Sequence, residues 1–136
     1  MNLRIAQSYV QAGTPYVEGE FDCADLVAQV QQQVWGRRVL LPVHGARDAQ
    51  RVQTLCDTLA QKVDTPQSGD VVLMWVPGEE KGLLVWHLGT VFVEEGCAWV
   101  LHNSYKRGGA VLNRVRDLAR LGLRVEAFYA LRVAHG

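Results

Sequence analysis

The segments VVLMWV (71–76), VWHLGTVFV (85–93) and CAWVLH (97–102) decide the fold class. Each is short and rich in β-branched and aromatic residues. PGEEKG (77–82) follows the first and EEG (94–96) the second, and both are turn compositions. Three such segments in succession predict an antiparallel meander. Downstream, AVLNRV (110–115) and RVEAFYALRV (124–133) predict two further strands, with a short helical turn around Asp117 to Leu121 between them. Upstream the hydrophobic period is helical. Leu3, Ile5, Ala6, Tyr9 and Val10 predict a short amphipathic helix that stops at Gly13. A second helix should follow Phe21, with Asp22 as its cap and Asp25 three residues on in a box-like arrangement. Its apolar stripe is Cys23, Leu26, Val27, Val30 and Val34, ending at Gly36. A third helix is expected over Ala46 to Lys62, with Ala49, Val52, Leu55, Cys56 and Leu59 inward. Helices first and an antiparallel sheet afterwards make an α+β fold, one sheet face packed on the helices.

The chain of 136 residues is 49% hydrophobic and 21% charged, which fits one domain spanning 1–136 and leaves no room for two. At this length roughly two-thirds of the unfolded surface can be buried, so stability requires neither a metal nor a disulfide framework. Fourteen Lys and Arg balance fourteen Asp and Glu, so no overall cationic field favours nucleic acid or an anionic membrane. Cys23, Cys56 and Cys97 are odd in number and form no CxxC unit, which argues against a disulfide scaffold. The N-terminal MNLRIAQSYVQAG lacks the apolar core of a secretory signal, and no run approaches ~18 apolar residues. The expectation is cytoplasmic synthesis without a signal peptide and no membrane span. Action outside the cell would then require delivery by something else.

Cys23 is the first candidate for chemistry. It falls on the opening turn of the second helix, where backbone N–H groups and the macrodipole favour a thiolate. The bland alternative is a buried inert thiol. His87 offers a base, on a strand whose inward row is expected to be Val85, His87, Gly89 and Val91. His102 ends the next strand and shares a face with Ala98 and Val100, so a meander sets the two histidines on neighbouring strands. Thiol, base and orienting group together are the parts of nucleophilic catalysis. His44, in LPVHGA, and His135 have no metal-ligand spacing, and neither metal nor cofactor is expected. Gly69 and Asp70 read as a turn and strand start, with Asp70 structural. The seven basic residues between Asn103 and Gly136 (Lys106, Arg107, Arg114, Arg116, Arg120, Arg124 and Arg132) read as a solvated face.

GTPYVEGEFDCADLV (13–27), SGDVVLMW (68–75), WHLGTVFV (86–93) and VLHNS (100–104) together resemble the successive blocks of the NlpC/P60 cysteine peptidases, in the family's order and over nearly the whole chain. The family's blocks read approximately G-T-P-Y, D-C-S-G-L-V, G-D-L-V, H-V-G and a later His. The compact form is similar to the members encoded in phage tail-assembly regions. The resemblance implies a papain-like fold, with Cys23 as nucleophile, His87 as base and later acid, and His102 orienting His87. It also implies that the Tyr16 hydroxyl lies beside the cysteine and the substrate, where it and the backbone N–H of Cys23 would meet an oxyanion. The implied activity is hydrolysis of peptidoglycan stem peptides, at the bond between D-glutamate and a diamino acid. The implied setting is a virion or delivery to the cell wall, with phage tail proteins or other delivery machinery as partners. Two alternatives stand beside it: a tail assembly component with weak or vestigial hydrolysis, and a thiol acyltransferase on the same fold. Where the family usually has Ser-Gly after the cysteine, this chain has Ala24 and Asp25. With Glu18, Glu20 and Asp22, Asp25 makes the segment acidic, suited either to the amine of a diamino acid or to helix capping. A carboxylate beside Cys23 would raise the thiol pKa, so Asp25 must point away or pair with a cation.

Overall fold

The computed structural model describes residues 3–39, 60–77 and 84–131. Two α-helices come first, α1 (Leu3–Gln11) and α2 (Cys23–Trp35). Strands β1 (Ala60–Val63), β2 (Val71–Pro77), β3 (Leu84–Glu94), β4 (Cys97–Ser104) and β5 (Gly109–Arg114) follow. A 3-10 helix (Val115–Leu121) then leads into β6 (Arg124–Leu131). The strands form one antiparallel sheet in the order β1-β6-β2-β3-β4-β5, so the fold is α+β, as the change of period predicts.

Local chemistry explains most boundaries. Asp22 Oδ1 accepts from the N–H groups of Ala24 (3.0 Å) and Asp25 (3.2 Å), and Asp25 Oδ2 accepts from the N–H of Asp22 (2.9 Å). This is the reciprocal box expected from the spacing, with an aspartate where glutamate is commoner. At the other end Gly36 takes φ 66°, and its N–H donates to the carbonyl of Gln32 while that of Arg37 donates to Gln31. β3 and β4 join through Glu95 and Gly96, both at positive φ, the backbone a tight two-residue hairpin turn needs.

α2 lies over β3 and β4. Its N-terminal half packs Cys23, Ala24 and Val27 with Val71, Leu73 and Leu88, and further along Leu26 and Val30 join Ala6, Phe92 and Leu101. The opposite sheet face carries a third cluster of Val72, Met74, Val91 and Val100, closed by Leu118 of the 3-10 helix. The far end of α2 is tied to the turn before β2. Gln31, fully buried, donates from Nε2 to the Gly69 carbonyl (2.9 Å), and Arg37 Nη1 donates to both Gln31 Oε1 (3.1 Å) and that carbonyl (3.2 Å). Gly69 is at φ 95°, and a Cβ there would stand 3.1 Å from both Trp35 and Arg37. Asp70 accepts from the Gln67 N–H (2.7 Å) and serves this turn, as expected. Its pKa is raised by burial, against the opposing pull of the Gln67 bond and the Arg37 charge.

Two expectations need correction. The helix over Ala46 to Lys62 lies outside the described residues as far as Leu59, and its last residues are strand: β1 pairs with β6, Ala60 opposite Leu131 and Lys62 opposite Tyr129. That pairing is long-range, and a local period cannot register it. The row of β3 that meets α2 is Leu88 and Phe92, while His87, Gly89 and Val91 turn to the other face, opposite Met74, Val72 and Val100. Both rows of β3 are largely apolar, so alternation does not reveal which one the helix covers. Cys56, His44, His135, Arg132 and most of the 77–82 turn lie outside the described residues.

Candidate active site

The β3–β4 register sets Gly89 opposite His102, which leaves His87 diagonally across from His102 on the same face. His87 Nε2 lies 2.8 Å from His102 Nδ1, the rings edge-to-face with centroids 5.0 Å apart. A Cβ on Gly89 would stand 2.3 Å from Val100 Cγ1 and 3.2 Å from His102 Cβ, so only glycine leaves these side chains their places. His102 Nε2 lies 2.8 Å from Asn113 Oδ1 on β5. The proton order follows. Amide Oδ1 only accepts, so His102 carries its proton on Nε2, and its Nδ1 in the neutral ring accepts from His87 Nε2–H. His87 Nδ1 is then the lone-pair nitrogen, the one able to take a proton.

Both rings are neutral at pH 7. Burial, and secondarily the neighbouring His102, lower the His87 pKa to about 3. Burial also lowers that of His102, partly offset by the bond to Asn113. Asn113 is the residue that sequence reasoning missed. The sequence shows only an amide within the apolar run AVLNRV; its place on the row of Val111, which pairs with His102, is set by the register of β4 and β5.

Cys23 opens α2, buried and outside any disulfide. The start of α2 is fastened to the residue after His102. Asn103, fully buried, directs Nδ2 at the carbonyl oxygens of Pro15, Phe21 and Asp22, each at 3.3 Å. The thiol residue and both histidines therefore occupy the same end of the sheet. Their side chains leave by different faces: Cys23 belongs to the cluster with Leu73 and Leu88, whereas His87 departs from β3 with Gly89 and Val91.

Tyr16 is half-buried on the loop before α2. Its N–H donates to the Gly108 carbonyl (3.0 Å), and its ring meets Tyr105 edge-on at 5.5 Å. The Asp25 carboxylate turns back to the backbone of Asp22, which is the capping role, while Glu18 and Glu20 are exposed. Among the described residues no group of three or more His, Cys, Asp or Glu is placed to hold a metal ion. Nor is any described helix long and apolar enough to cross a membrane. The molecule is thus an α+β domain with a hydrogen-bonded His-His-Asn relay near a helix-terminal cysteine. No protein-family model, curated protein or solved structure matches the chain.

Proposed function

We propose that the domain is a papain-like thiol hydrolase of the NlpC/P60 type, acting on peptidoglycan stem peptides at the bond between D-glutamate and a diamino acid. The observation that carries the reading is the His87–His102–Asn113 relay, whose proton order presents His87 Nδ1 as the basic nitrogen at the sheet end where Cys23 opens α2. In this mechanism His87 Nδ1 takes the thiol proton and the Cys23 sulfur attacks the peptide carbonyl. The oxyanion is met by the Cys23 N–H at the helix start and by the Tyr16 hydroxyl. His87 then gives its proton to the departing amine, leaving a thioester. Water, deprotonated by His87, attacks the thioester to release the acid and restore the thiol.

A second reading, an assembly component of a phage tail with vestigial hydrolysis, is favoured by a different observation. Cys23 packs in an apolar cluster on the α2 side of β3, whereas His87 leaves by the other side. Two measurements separate the readings. Mass spectrometry of bacterial sacculi and soluble stem peptides should show a new fragment with the intact protein and none with Cys23→Ala or His87→Ala. The rate of Cys23 alkylation at fixed pH should fall in His87→Ala, because a neutral His87 accepts the thiol proton as the sulfur attacks. No fragment from folded, reduced protein, together with an alkylation rate indifferent to His87, would sink the hydrolase reading.

A further inference from the structure

From the cleft between β5 and the 3-10 helix we infer a binding site for a phosphoryl group, separate from the thiol. The cleft, about 620 Å³, is lined by Trp99, Asn113, Arg114, Arg116, Asp117 and Arg120 among others. Three arginines thus share the lining with one aspartate, in a chain whose fourteen basic and fourteen acidic residues balance overall. None of the three is ion-paired to a carboxylate of the described residues. Arg114 is held in advance, its Cζ stacked 5.1 Å from the centre of the Trp99 ring. Stacking uses the guanidinium face and leaves its edge donors directed outward, the geometry that binds oxyanions in pairs of hydrogen bonds. Arg116 and Arg120 extend from the exposed side of the 3-10 helix.

The charge count selects the ligand. Three guanidinium groups against the one carboxylate of Asp117 leave an excess of two positive charges; a single ligand carboxylate would match one of them, whereas a tetrahedral phosphoryl group brings up to two charges and enough oxygens for several forks at once. The volume suits a phosphoryl group with a small substituent, since ligand clefts run from about 300 Å³ upward.

The test follows the Trp99 indole N–H resonance, assigned with Trp99→Phe, in the full chain at constant ionic strength. The probes are inorganic phosphate, glycerophosphoglycerol as a phosphodiester, and chloride as the control. Phosphate or the diester should shift the resonance saturably, and Arg116→Gln with Arg120→Gln should weaken that binding at least tenfold. Both arginines are exposed, so the double variant is expected to fold, which its spectrum checks directly. Response to phosphate alone identifies a small-ion site, and response to the diester identifies a polymer-type ligand. A shift that chloride reproduces, that does not saturate, or that survives the double substitution overturns the inference. Cys23→Ala should bind as the parent does, so this result stands or falls apart from the hydrolase reading.

Discussion

Gly89 is absent of side chain because its neighbours occupy the space. An added methyl must displace Val100 or open the strand pair, and overpacking of that kind costs about 1–3 kcal/mol. Gly89→Ala should therefore lower the unfolding free energy by that amount, read as a lower urea midpoint, and weaken the His87–His102 bond with it. Asn113 is tested differently. Asn113→Ala leaves a buried imidazole N–H without its acceptor, expected to cost about 1–3 kcal/mol. It also removes the preference for one His102 tautomer, visible in the imidazole ¹⁵N shifts, whereas Asn113→Asp should raise the His102 pKa through the added negative charge. That His87 and His102 meet on neighbouring strands was legible in the meander pattern of the sequence. The partner amide was not, because nothing local in AVLNRV says that Val111 will stand opposite His102.

At the scale of elements, what could be read was what is written locally. α2 announces itself through Asp22, Asp25 and Gly36, all within hydrogen-bond reach of the helix they bound. Asp22→Ala should cost about 1 kcal/mol by removing the acceptor for two helix-start N–H groups, measurable by thermal unfolding. Gln31, the first residue of the run QQQ, is fully buried and ties α2 to the turn before β2. Gln31→Ala should destabilise by about 1–3 kcal/mol, since it removes two hydrogen bonds made by a fully buried side chain and leaves Arg37 Nη1 alone on the Gly69 carbonyl. β1 was beyond reach for the opposite reason. AQKV has no alternation of its own and becomes a strand because β6 offers it an edge.

For the molecule as a whole, the buried histidines set the pH response. The unfolded chain protonates His87 near pH 6.5, but the fold resists until about pH 3. Between those values the unfolded state binds more protons, so stability falls as pH falls, by up to about 1.4 kcal/mol per pH unit for this residue. His102 acts in the same direction, and Asp70, whose pKa is raised, acts in the other. Urea midpoints should therefore drop steadily from pH 7 towards pH 4, with a shallower drop in His87→Asn. A flat profile in the parent protein would contradict neutral buried rings. The α+β class was legible because every described strand but β1 carries its own pattern. The order β1-β6-β2 was not, because it depends on where the last strand inserts.

That insertion gives the chain a history during its synthesis. A ribosome delivers β1 about sixty residues before Arg124, the first residue of β6, which is the strand's one neighbour among the described residues. Once β3 is complete at Glu94, β2 can pair with β3, yet until β6 arrives its other edge stays bare, and a bare edge is what foreign strands attach to. The nascent chain is consequently adhesive between the completion of β3 and the delivery of β6, and arrival of β6 is the event that seals that edge.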